Sequence, residues 1–241
     1  MAKLDNLAKM AARATVQELY ADLHGKIVRG DMRPGEMLSE TKVADSYGVS
    51  RTPVREVFWR LGEDAFLRVV PQVGTFVAPI NIASVYDSQF VRETLECTAV
   101  KQAARNAEPG DIARLHDQLA LQAEAVAQSD YVAFFGSDET LHRLLMTMAG
   151  RPFVWQIIAG VKAQLDRVRF LSLEDPDWLA MVFAEHQALV EHVSHHDAEA
   201  ARRIMRDHLR TAFAAIGRIA ARHPDFFEGN VTPPRNDMTG D

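Results

Sequence analysis

The chain has 241 residues, 47% hydrophobic and 25% charged, which is enough for one large domain or two modest ones. No apolar run is long enough to span a bilayer, the N-terminal MAKLDNLAKMAARATVQ lacks the continuous apolar stretch of a secretory leader, and the single Cys97 excludes an intramolecular disulfide, so a reducing, cytoplasmic setting without a membrane partner is expected. The net charge of −6 is uneven: residues 1–80 hold 11 Lys and Arg against 10 Asp and Glu, net +1, and the remainder holds 16 against 23, net −7.

Residues 15–29, TVQELYADLHGKIVR, place Val16, Leu19, Leu23, Ile27 and Val28 at helical spacing, and Gly30 and Pro34-Gly35 stop that helix. Ser39 is placed to cap a short helix through Tyr47, closed by Gly48. Ser50 is placed to cap a third, with Pro53 tolerated in its first turn because the N–H it lacks has no helical partner there. Val54, Val57, Phe58 and Leu61 make the apolar stripe of this helix, and Arg51, Thr52, Arg55 and Glu56 fall on the flank or the opposite side. Two β-branched runs, Leu67–Val70 and Thr75–Ala78, flank a turn with Pro71 and Gly74 and predict a hairpin. Three helices and a hairpin form the winged helix-turn-helix plan.

From Ile82 the pattern is helical throughout. Helices are expected near 82–106, 110–128, 130–149, 152–171, 178–194 and 197–222, with Cys97 packed inside the first. Six helices with short connections predict an antiparallel bundle. The expected fold is therefore mainly α: a winged-helix domain over 1–80, a helical domain over 81–223, and a tail over 224–241 whose Pro, Gly, Asn and Asp content predicts disorder.

A helix N-terminus offers free N–H groups and a positive dipole end to a phosphate, and Arg51 and Arg55, one turn apart, are placed to reach base edges in a major groove. The bland reading of the same helix is a surface helix whose arginines meet solvent. IVRGDMRPGEMLSETKVADSYGVSRTPVREVFWRL followed by PQVGTFV resembles the DNA-binding domain of the GntR transcription regulators, through G-x-x-x-PGE-x-L-x-E, GVSR-x-PVRE and the wing glycine. The resemblance implies that Ser50, Arg51 and Arg55 touch operator DNA, with Thr52 beside them, and that Gly74 lies at a wing tip. Thr41 stands where many relatives carry arginine, Ala65 replaces a usual glycine, and Gln72-Val73 replaces a more basic wing tip.

In the helical half, Asp138 and His142 are four apart and share one helix face, and His186 and His208 lie on successive helices about 9 and 11 residues from their shared corner, so all four side chains meet at similar depth if the turns share one end of the bundle. Three imidazoles and a carboxylate suit a divalent ion, Zn²⁺ or Ni²⁺ first and Mn²⁺ or Fe²⁺ admissible. The bland reading is packing or surface histidines. D-x-x-x-H, then E-H-x-x-L, then D-x-x-x-A-x-x-x-M-x-x-H-L resembles the FCD effector domain of the FadR branch of the same family. That resemblance implies a metal on Asp138, His142, His186 and His208, and an effector carboxylate on Arg92; an ion pair of Arg92 with Glu93 or Glu96 is the alternative.

These readings lead to a homodimeric regulator, a repressor by family habit and not an enzyme, that binds a palindromic operator and responds to a small organic acid near the metal. The rivals are a metal-dependent enzyme acting on a carboxylic acid and a metal-stabilised dimerisation module without sensing.

Overall fold

The Ser39 hydroxyl accepts the Lys42 N–H at 3.4 Å, and Gly48, at φ 64°, takes the left-handed conformation that ends the same helix. Around such stops the structure, a computed structural model describing residues 2–228, divides into two compact units. The first runs to Asn81 and takes back the segment from His223; the second spans Ile82–Arg222.

The first unit holds α1 (Ala2–Val28), β1 (Met37–Leu38), α2 (Glu40–Tyr47), α3 (Arg51–Glu63), β2 (Leu67–Val70), β3 (Gly74–Val77) and β4 (Ile80–Asn81). Val16, Leu19, Leu23 and Ile27 of α1 and Val54, Val57 and Leu61 of α3 are all buried, so the two apolar stripes read from the sequence make one core with Phe66. Ser50 occupies the cap position of α3 but its side chain makes no capping hydrogen bond. The antiparallel sheet has the order β1-β3-β2, with Met37 opposite Phe76 and Val70 opposite Gly74. The hairpin's second strand begins one residue earlier than Thr75: Val73 N–H bonds Val70 O at 3.1 Å, and Gln72 takes φ 64°, so the turn closes before Gly74. Ala65, in place of glycine, also adopts a positive φ of 58°.

The second unit holds α4 (Ile82–Asn106), α5 (Pro109–Gln128), α6 (Tyr131–Met148), α7 (Pro152–Val161), α8 (Ala163–Ser172), α9 (Pro176–Ser194) and α10 (Ala198–Arg222). Asp130 accepts the Ala133 N–H at 2.9 Å and Asp175 that of Asp177 at 3.1 Å, which starts α6 and α9 after their turns. Val100, Ala103, Leu115, Leu141, Leu145, Leu189, Val193 and Met205 are in the bundle's buried core, and Cys97 packs with them. Burial pushes the Cys97 thiol up to about 12, so it stays protonated.

Two expectations are corrected. The single helix expected over 152–171 is two, broken at Lys162. The tail expected from 224 is ordered at its start: Pro224–Phe226 form a 3-10 turn, and β5 (Phe227–Glu228) pairs parallel with β4, Ile80 opposite Phe227. Phe226 and Phe227 are buried, which offsets the entropy of fixing the backbone. Residues 229–241 of that expected tail lie outside the described residues.

Candidate metal centre

Asp138 and His142 lie one turn apart on α6, His186 faces them from α9 and His208 from α10. One ligand atom from each lies within 4.8 Å of the others. His208 Nε2 is 3.3 Å from both His142 Nε2 and His186 Nε2, and Asp138 Oδ1 is 3.4 Å from His186 Nε2 and 4.0 Å from His142 Nε2. All four residues are buried.

The opposite ring nitrogens are held too. His142 Nδ1 meets Glu96 Oε2 at 2.5 Å, His186 Nδ1 meets Gln122 Oε1 at 2.8 Å, and His208 Nδ1 meets Glu185 Oε2 at 2.8 Å. Each partner atom is an acceptor, so each Nδ1 carries the proton and donates, and each Nε2 presents a lone pair to the centre. His208 Nε2 faces the Nε2 lone pairs of both His142 and His186 at 3.3 Å, and lone pairs cannot satisfy one another by hydrogen bonding. Four ligands 2.0–2.1 Å from a tetrahedral ion stand about 3.3 Å apart, so this spacing and donor set fit a divalent cation.

The electrostatics favour the same protonation states. Burial pulls His186 well below the usual histidine range, helped by the His208 imidazole, and burial lowers His208 against the opposing pull of Glu185. Burial alone would raise the Asp138 carboxyl, but the Arg169 guanidinium beside it holds it well below the usual carboxylate range. Neutral imidazoles and an ionised carboxylate are the states in which these groups ligate metals.

Arg169, on α8, bonds Asp138 Oδ2 and continues to Glu139 at 2.7 Å and Asp166 at 2.8 Å. Lys162 joins Glu139 at 2.7 Å and Asp166, so part-buried ion pairs run from the candidate centre to the α7–α8 break. A cavity of about 40 Å³ opens beside the cluster, with Arg92, Asp138, Arg169 and His208 among its lining residues and Trp178 and Val182 on its apolar side.

The structure places the remaining sequence-predicted residues as follows. Arg92 lines the cavity, but it is buried and its Nε bonds Glu96 Oε1 at 2.5 Å; of the two partners posed as the alternative Glu96 is the one that pairs with it, and Glu93 pairs with Arg210 instead. Ser50, Arg51, Thr52 and Arg55 are exposed at the start of α3. Arg51 Nη2 and Arg55 Nε both donate to Glu40 Oε2, at 2.7 and 2.8 Å. Gly74 begins β3, and a Cβ there would come within 3.3 Å of Met37 Sδ. Gln122 and Arg169 were not singled out by sequence reasoning, and Glu96 was named only as an alternative partner of Arg92, not as a support for His142. Of these only Glu96, one turn from Arg92, carried a sequence signal.

Two family models match the chain: bacterial regulatory proteins of the gntR family over residues 15–77, and the FCD domain over residues 87–211. The chain is 35% identical to an HTH-type transcriptional regulator in an unstable DNA locus of Streptomyces ambofaciens, over 92% of this chain and 93% of that one. It is 31% identical to the HTH-type transcriptional repressor RspR of Escherichia coli K12, over 88% and 92%. In fold it is similar to Escherichia coli McbR/YncC (TM-score 0.71, 22% identity, 83% and 95% covered) and to a GntR-type regulator from Rhodococcus sp. RHA1 (TM-score 0.72, 21% identity, 85% and 98% covered).

Proposed function

The chain belongs to the gntR family of bacterial regulatory proteins and carries an FCD domain, a family of DNA-binding transcription regulators and not of enzymes, and from that premise we propose that it is a metal-dependent, acid-responsive repressor. In this reading residues 1–80 read DNA and residues 81–223 sense the effector and dimerise. A homodimer then sets two copies of α3 on a palindromic operator, since the protein's two-fold axis matches that of the DNA. The repressor direction rests on the description of the relative RspR.

The observation that carries the proposal is the buried set of Asp138, His142, His186 and His208 beside a cavity that Arg92 and Arg169 also line. A bound Zn²⁺ or Ni²⁺, with Mn²⁺ or Fe²⁺ also admitted by the donor set, supplies a Lewis-acid site for one oxygen of a carboxylate. The chain's own residues do the rest. Glu96, Gln122 and Glu185 hold the imidazoles in the ligating tautomer, and Arg169 keeps Asp138 ionised. The cavity has room for about three water molecules, which sets a small acid as its ligand. A bound acid competes with Asp138 and Glu96 for Arg169 and Arg92, and any shift in these pairs moves α4 and α8.

On the DNA side Ser50, Arg51, Thr52, Arg55 and the wing at Gly74 form the contact set. Glu40 neutralises Arg51 and Arg55 in the free protein and must release them to a phosphate or a base edge. Changing Arg51 and Arg55 together to Ala is expected to weaken operator binding at least about thirtyfold, at about 1–3 kcal/mol for each base contact, with the helical unit still folded. Fluorescence anisotropy with a duplex selected by the wild-type protein from a random pool measures this. Unchanged affinity in a folded double variant refutes the assignment.

A further inference from the structure

The exposed residues of α3 in its first nine positions are Arg51, Thr52, Arg55, Glu56 and Trp59. Arg51, Arg55 and Trp59 follow one another at intervals of four and so line one ridge. Trp59 is 65% exposed, while Val54, Val57, Phe58 and Leu61 fill the core on the other side of the helix. An indole presents about 150–250 Å² of surface, and leaving most of it in water forgoes the burial that every other large apolar residue of α3 obtains. The largest apolar side chain of this helix therefore stands on its cationic side.

We propose that Trp59 is a DNA contact, its ring packed on the deoxyribose wall of the major groove and its Nε1–H donated to a phosphate oxygen. This rests on the reading of α3 as the DNA-reading helix. Eight residues at the helical rise put Trp59 about 12 Å along the axis from Arg51. The groove is about 12 Å wide and about 8.5 Å deep, so with the first turn of α3 on base edges, a residue two turns later stands at the rim, among sugars and phosphates. An indole suits that place, with an apolar face for the sugar and a single donor for the phosphate. The charge of the ridge selects the partner: Arg51 and Arg55 on the same line fit a polyanion. Arg60, next in sequence, is taken up by Glu56 at 2.6 Å.

Trp59 would add affinity without releasing a counterion, which gives the test its discriminating power. The probe is a duplex of about 30 base pairs, selected from a random pool by the full-length wild-type protein and long enough for two half-sites one turn apart. Trp59→Ala is expected to bind it about tenfold more weakly with the slope of log affinity against log salt unchanged, whereas Arg55→Ala lowers that slope by about one. Trp59→Phe, which keeps a ring but no N–H, falls between. Wild-type tryptophan emission changes on adding the duplex, and that change is absent in Trp59→Phe. Wild-type affinity in Trp59→Ala, or an altered oligomeric state with unchanged DNA affinity, overturns the inference while the DNA reading stands, provided the arginine variants are impaired. Enrichment of no duplex, or normal binding by the arginine double variant, overturns both.

Discussion

Glu96 accepts from Arg92 Nε at 2.5 Å and meets His142 Nδ1 at 2.5 Å, all three side chains being buried. Burial opposes its charge, but Arg92 and His142 outweigh it and hold the carboxyl well below the usual glutamate range, so it stays ionised. Its charge does two things: it compensates a guanidinium that has left water, and it makes the ring bearing one candidate ligand atom more basic. Glu96→Gln preserves shape and an acceptor while removing the charge. It is expected to weaken Zn²⁺ binding about 10- to 100-fold by calorimetry and to lower unfolding stability by about 3 kcal/mol in urea, because Arg92 loses its counter-charge. Zinc affinity and stability both equal to wild type would show that the pair has no such role. At this scale the sequence was legible where ligands share a helix turn, as Asp138 and His142 do, or flank one corner, as His186 and His208 do. Gln122 was not legible, since an uncharged side chain on another helix leaves no periodic mark, and neither was the buried state of the Arg92–Glu96 pair.

Among the elements, the α7–α8 break illustrates a limit of periodicity. The run from Pro152 to Ser172 contains no proline after its first residue, and its apolar content is continuous, so one helix is the simplest expectation. Gly160, two residues before the break, weakens the helix locally, and contacts from elsewhere in the fold hold the broken ends. The Ser88 hydroxyl, on α4, lies 2.6 Å from Val161 O and 2.5 Å from Ser84 O, and its single proton is shared between them. Lys162 at the break is buried against Glu139 and Asp166, with its ammonium 5.8 Å from the centre of the Trp155 ring. A break also shifts the helical phase, which is why a single-helix reading could not aim Arg169 at Asp138. Ser88→Ala removes the hydroxyl donated to the Val161 carbonyl in a part-buried hydrogen bond and is expected to cost about 1 kcal/mol in urea unfolding. Stability equal to wild type would mean that Val161 O has no need of the hydroxyl. By contrast, α2 and α3 were read nearly to the residue, because Ser39, Gly48 and Pro53 mark their ends by local chemistry that no distant contact overrides. The strand at Phe227–Glu228 went unread for the opposite reason: its partner lies almost 150 residues earlier, and two residues carry no alternation.

For the molecule as a whole, membership of the gntR family and the mainly helical fold were both legible, since each half carries motifs of fixed order and spacing. No helix among the described residues is long and apolar enough to cross a membrane. The uneven charge distribution also fits a division of labour, with the acidic excess lying outside the residues proposed to meet DNA. A regulator of this kind needs a ligand that binds its two states unequally, and coupling of about 1–3 kcal/mol gives a 5- to 150-fold change in DNA affinity. The most direct measurement is the affinity of the zinc-loaded, full-length protein for its selected duplex, with and without each member of a panel of small carboxylic acids. The account predicts that at least one acid shifts the dissociation constant about fivefold or more, and that His208→Ala binds the duplex but loses the shift. An affinity that no acid alters, or a His208→Ala protein that responds as the wild type does, would contradict it.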